Sequence, residues 1–229
     1  HASTPAGLHT GKPASCCQNG RMSQADRPPS AVQPADVLRL WLGAHPLERA
    51  AMQRVQAQWF RKDEAFDAGL RQHFLPTIEA ARDGRLDDWT QSAEGRLALI
   101  IVLDQFTRNV FRGQPASFAA DAQALALAVE GIERGHDQAV PPMARIFCYL
   151  PLEHAEDAAM QARSVALFTA LRDAADAEPK AFFDGTLEYA RKHQDVIARF
   201  GRFAHRNAIL GRASTDAERA YLAQPGAGF

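Results

Sequence analysis

The sequence predicts an all-α fold: an antiparallel array of eight or nine helices, similar in form to tetratricopeptide repeats. Three observations carry that expectation. Alanine is abundant and β-branched alternation is nearly absent, which favours helix over strand. Gly and Pro punctuate the chain about one helix apart. The connections left between helical stretches are short, so consecutive helices should be antiparallel neighbours.

The elements follow that punctuation. Residues 35–42 form a short helix that stops at Gly43. The next, 46–60, carries Pro46 in its first turn, where the missing N–H costs nothing. Residues 64–82 follow, with Pro76 as a kink, and end before Gly84. Leu86 to Trp89 read as a short turn. Ser92 is a good N-cap for 93–110, which is apolar almost all round and so should lie at the centre. Residues 115–134 close at Gly135, and 141–150 stop at Pro151, which is expected to begin 152–175. Residues 179–200 end at Gly201. Thr215 and Glu218 resemble a capping box for a last helix to Ala223.

Residues 1–33 stand apart, rich in Pro, Ser and Gly and without helical periodicity. They cannot bury enough apolar surface to offset ordering entropy, so a disordered tail is expected, with 34–229 as a single all-α domain. Met22 is a candidate start, which would make 1–21 an addition to the native chain. The tail lacks the apolar run of a signal peptide. It carries a net +2, so the chain's −1 hides a body of −3. Cys16 and Cys17 also fall in the tail, leaving only Cys148 in an apolar run. No disulfide framework or zinc spacing results, and a reducing, cytoplasmic setting fits. No membrane span is expected, and the near-neutral charge gives no case for nucleic acid.

Four polar constellations interrupt the apolar pattern. In the central helix, Asp104 and Arg108 stand four apart on a stripe with Leu97, Ile101 and Phe111. A buried carboxylate is expensive unless paired, so they read as an internal pair or as the polar floor of a cleft. Asn109 follows directly. The second is Glu153-His154-Ala155-Glu156-Asp157. It reads as first-turn acids favoured by the helix dipole, or as a carboxylate–imidazole site. It lacks the HExxH spacing that puts two imidazoles on one face, so no metal is expected, although a metal-assisted form stays open. Third, His193 lies in an apolar stripe with Phe182, Tyr189, Val196 and Phe200. Such a residue is a core histidine or a ligand. Fourth, residues 196–215 hold Arg199, Arg202, Arg206 and Arg212, with His205 and Asn207 and no acid. That local +4 supplies partners for buried acids, or a pocket for carboxylate or phosphate. Walker, dinucleotide-binding and GxSxG patterns are missing, and no cofactor is expected.

These segments, in this order, resemble a bacterial family known as domain of unknown function 924. The resemblance covers Val37 to Phe229. It rests on the WFRKDEAFD string at 59–67, GRLALI and LDQFTRNVFRG within 95–113, YLPLEH at 149–154, and RFGRFAHRNAILGRAST at 199–215. Thr107 and Ala204 stand where the family often has Pro. The resemblance implies a tetratricopeptide-like helical fold in a bacterial cytoplasmic protein, and no established activity.

Three functional expectations follow. The first is a binding protein whose concave face carries Asp104, Arg108, Asn109, Glu153, His154, His193, Arg202, His205, Arg206 and Asn207. It would hold a small anionic molecule or an acidic peptide end, gripped by Arg202 and Arg206. The second is a hydrolase using Glu153, His154, Asp157 and His193. The third is a buried network that only specifies the fold.

Overall fold

A computed structural model describes residues 31–175 and 177–228, with the side chains of 177–179 outside the description. The tail expected over 1–33 falls, except for its last three residues, outside the described residues. The described residues from Val32 to Gly228 pack as one unit. Among the described residues every regular element is helical.

Helix α1 (Pro34–Leu42) buries Val37, Leu38, Trp41 and Leu42 and ends on Gly43, whose φ of 84° needs a residue without a Cβ. Helix α2 (Arg49–Val55) is shorter than the punctuation suggests. The chain leaves it through a 3₁₀ turn, Gln56–Gln58, so that Trp59 reaches inward. The Trp59 indole N–H donates to the Trp41 carbonyl at 2.6 Å, and its ring meets Phe147 edge-on at 5.0 Å. Helix α3 (Glu64–Arg82) is capped by Asp63, which accepts from the backbone N–H groups of Ala65 and Phe66.

The central rod is not one regular helix. Helix α4 (Ala93–Ile100), capped by Ser92, runs into a π-helical segment, Ile101–Phe106, and continues as α5 (Thr107–Val110). The rod packs against α1, α3, helix α6 (Asp121–Glu133) and helix α7 (Pro142–Glu153), which places it at the centre. Phe106 from its π segment meets Trp41 edge-on at 5.6 Å.

Helix α6 begins six residues after Pro115, which starts a separate 3₁₀ turn (Pro115–Ser117). Helix α7 contains Pro151, against the expectation that Pro151 opens the next helix. It sits in the last turn, where it forfeits one backbone hydrogen bond, and the helix ends two residues later at Glu153. Helix α8 (Ala158–Asp173) therefore starts at the Asp157 cap. Helix α9 (Ala177–Phe200) follows. The chain then crosses an irregular stretch to α10 (Asp216–Leu222), whose Thr215/Glu218 capping box forms as expected. Successive helices α6, α7, α8 and α9 pack on one another in chain order. No helix among the described residues is long and apolar enough to cross a membrane.

Gly95 shows how tightly the rod is seated. A Cβ there would lie 2.2 Å from the Trp89 carbonyl oxygen and 2.8 Å from Ser92 Oγ. Backbone and cap cannot both retreat, so Gly95→Ala should cost about 1–3 kcal/mol of overpacking. Urea unfolding checks this, and an unchanged midpoint would contradict it.

Candidate functional site

The π segment delivers Asp104 into the interior, where it is 1% exposed. Its carboxylate is fully engaged. Oδ1 meets His154 Nδ1 at 2.8 Å and an Arg108 guanidinium nitrogen at 3.0 Å, while Oδ2 accepts from Gln105 at 2.6 Å. Burial pushes the carboxyl upward, but the Arg108 charge, then His154 and Gln105, outweigh it and hold it well below the usual carboxylate range.

Arg108 also forms a two-pronged pair with Asp121 at the start of α6, at 2.9 and 3.0 Å. Arg206 reaches the same Asp121 carboxylate at 3.2 Å and donates to the His154 carbonyl at 3.1 Å. Its guanidinium carbon lies over the rings of Phe118 and Phe203, at 4.7 and 4.5 Å. Its Nε–H, buried, has no hydrogen-bond partner. Burial first, then the neighbouring Arg108, pull its pKa down to about 10.

His154, Asp121 and Arg206 line a cleft of about 440 Å³. The walls are mainly apolar, from Pro115, Phe118, Leu125, Pro151 and Leu210, and Glu156 and Asp157 add acidic groups. Burial, followed by Arg108, lowers the His154 pKa and keeps the ring neutral, while Asp104 opposes that shift. A neutral ring facing an ionised carboxylate carries its proton on Nδ1.

Glu153 and His193 lie behind the floor. The Glu153 carboxyl is 3.0 Å from His193 Nδ1, which also lies 2.8 Å from the Tyr189 carbonyl. Burial, then Asp104, push Glu153 up to about 8, whereas burial, then His154, push His193 down to about 3. Both are neutral near pH 7, so the pair is a carboxylic acid against a neutral imidazole. Glu153 and Asp157 do not share a helical face, contrary to the first-turn reading. Glu153 ends α7, and Asp157 caps α8 by accepting from the Met160 N–H.

The arginine-rich stretch is knitted mostly to its own acids. Arg202 forms a two-pronged pair with Glu218 at 2.6 and 2.8 Å, and Asn207 donates to the same carboxylate at 3.3 Å. Arg212 grips Glu156 at 2.7 and 2.9 Å and also donates to Asn207. His205 packs against Phe203 at 5.7 Å, and burial, then Arg206, lower its pKa to about 4. Asn109 turns away from the cleft to donate to Asp67 at 2.7 Å. The structure thus gathers Asp104, Arg108, His154 and Arg206 at one floor. It places Arg202, Asn207 and Asn109 in neighbouring networks. Asp121 and Glu156 were not singled out from the sequence. The signal for Asp121 was its place as the first acid of an otherwise alanine- and leucine-rich helix. Among the described residues, no group of three or more His, Cys, Asp or Glu side chains is set to hold a metal ion.

The fold and cleft define an all-α protein with an ion-paired floor under an apolar-walled pocket. Residues 37–226 match the family described as bacterial protein of unknown function (DUF924), and the chain belongs to that family. A solved structure of a protein of unknown function, ATU0120 from Agrobacterium tumefaciens, is 42% identical. The match covers 83% of this chain and 96% of that one, with a TM-score of 0.70. No curated protein matches the chain.

Proposed function

We propose that the cleft binds a small molecule with an apolar body and a carboxylate, and that Arg206 takes the carboxylate. The supporting observation is the state of Arg206. It is 6% exposed, its guanidinium lies over two aromatic rings, and its Nε–H is unsatisfied. An unpaired buried donor costs about 1–3 kcal/mol, which an anionic oxygen recovers. The apolar walls suit the body, and the volume falls in the range of small-molecule sites. Asp121, Glu156 and Asp157 nearby disfavour a dianion, so a carboxylate fits better than phosphate. The carboxyl end of a peptide offers the same group.

The chain-order stacking of α6 to α9 supports a tetratricopeptide-like scaffold for this binding. The free, buried Cys148 is in keeping with a cytoplasmic setting.

Butyrate should raise the melting temperature of the protein, and inorganic phosphate should not. Arg206→Ala should abolish the butyrate shift. An Arg206→Ala protein that folds and keeps the full shift would contradict this reading.

A further inference from the structure

We propose that the cleft is hydrolytic, with His154 as the general base that drives a water onto the carbonyl carbon of a small carboxylic ester. Asp104 is its positioning residue, and Arg206 is the donor to the oxyanion. This rests on the binding reading above, because the carboxylate that Arg206 takes is then the product.

The geometry at His154 carries the inference. Its Nδ1 is fixed at 2.8 Å on Asp104, a carboxylate 1% exposed beneath the floor. The two nitrogens of an imidazole point in nearly opposite directions. With Nδ1 turned inward, Nε2 is left on the side of the cleft that His154 lines. Nε2 takes no hydrogen bond among the described residues. With the proton on Nδ1, the Nε2 lone pair is free to accept one. A carboxylate that holds an imidazole in this tautomer and stabilises the imidazolium is the arrangement that general-base histidines require. Asp104 is well suited to the task, since Arg108 and Gln105 fix its orientation. Arg206 is adjacent, because it donates to the His154 carbonyl at 3.1 Å.

The lining holds no Ser, Thr or Cys among the described residues, so the nucleophile is water. Nε2 takes one proton from that water as its oxygen bonds to the carbonyl carbon. The carbonyl π pair moves onto oxygen, where the Arg206 Nε–H meets the developing charge. When the intermediate collapses, the C–O bond to the alcohol breaks and Nε2 returns its proton to the departing oxygen. Ester and water give alcohol and carboxylic acid, which ionises to the carboxylate at neutral pH. The apolar walls favour esters with a small hydrocarbon acyl group, and the acidic groups of the cleft disfavour phosphate esters.

The test uses the full chain with p-nitrophenyl butyrate, beside thermal-shift binding of butyrate. Hydrolysis should exceed the buffer rate, with an acid limb below pH 6.5. His154→Gln should lower kcat/KM by about 10²-fold or more in a protein that still folds and still shows a butyrate shift. Asp104→Asn should lower kcat with little change in KM and move the acid limb to lower pH. The charged and titratable groups around His154 are Asp104, Arg108, Asp121, Arg206, Glu153, His193 and His205, with Glu156 and Asp157 in the same cleft lining. Of these, Asp104 alone makes a hydrogen bond to its ring. Butyrate binding without turnover would overturn the hydrolytic inference and leave the binding reading standing. Failure of both would overturn both. Turnover unchanged in folded His154→Gln would overturn the role of His154. If His154→Gln does not fold, the Asp104→Asn profile decides, and an unmoved acid limb overturns the proposal.

Discussion

Asp104→Ala is expected to lower the unfolding free energy by about 3–5 kcal/mol, the cost of breaking a buried ion pair from one side. The substitution takes away one of the two carboxylates that hold Arg108. It also leaves His154 Nδ1–H and the Gln105 amide facing a hole. Asp121 still compensates Arg108, which sets the effect at unfolding-prone rather than unfoldable. Asp104→Asn keeps the shape and part of the hydrogen bonding and should cost clearly less. Urea unfolding of both variants measures the difference. A well-folded Asp104→Ala protein within 1 kcal/mol of the parent, about the size of one ordinary hydrogen bond, would remove the network from any structural role.

The second large effect concerns pH. Glu153 holds its proton in the folded protein up to about pH 8, whereas the unfolded chain loses it near 4.5. Between those values the folded state binds the extra proton, so stability falls as pH rises. His193 and His205 act the other way. They stay neutral when folded down to about 3 and 4, while the unfolded chain protonates them near 6.5. Below pH 6.5 their contribution therefore falls as the solution becomes more acidic, opposing Glu153. Above about pH 7 Glu153 acts without that opposition, and stability should drop by up to about 1.4 kcal/mol per pH unit until pH 8. By pH 9 ionised Glu153 should have cost the fold on the order of 5 kcal/mol relative to its protonated form. Glu153→Gln mimics the protonated acid and should flatten the profile above pH 7. A parent protein equally stable at pH 7 and 9 would refute this account. Below pH 4 a further loss is expected as Asp104, whose folded pKa is depressed, gains its proton.

The helical fold was legible because apolar period and Gly/Pro punctuation both mark helices. Glu64–Arg82 and the Thr215/Glu218 cap emerge as read. Of the site, the Asp104–Arg108 pair was legible, since four residues in a helix is a contact distance. The rest depends on chain distance. Arg108 meets Asp121 across 13 residues, and Arg206 meets it across 85, with nothing in local spacing to announce either. Pro151 misled for a physical reason. Proline is favoured in the first turn of a helix, whereas here it stands in the last turn and costs a backbone hydrogen bond. Reading it as a start placed Glu153 and Asp157 on one helix, whereas the turn between α7 and α8 separates them. The π segment is invisible for a different reason. A stretch apolar on every side gives no clue to how many residues make each turn.

That segment makes the site a matter of counting. A π turn holds one residue more than an α turn. Were 101–106 to wind as plain α-helix with the same number of residues, every residue after it would swing by up to about 100° about the axis. Arg108 would lose sight of Asp121, and Asn109 of Asp67, although no side chain at the site had been altered. The cleft floor is thus tuned by how the rod winds as well as by residue identity. A change that let this buried stretch wind as plain α-helix would reprogram the floor more thoroughly than most substitutions on the floor itself.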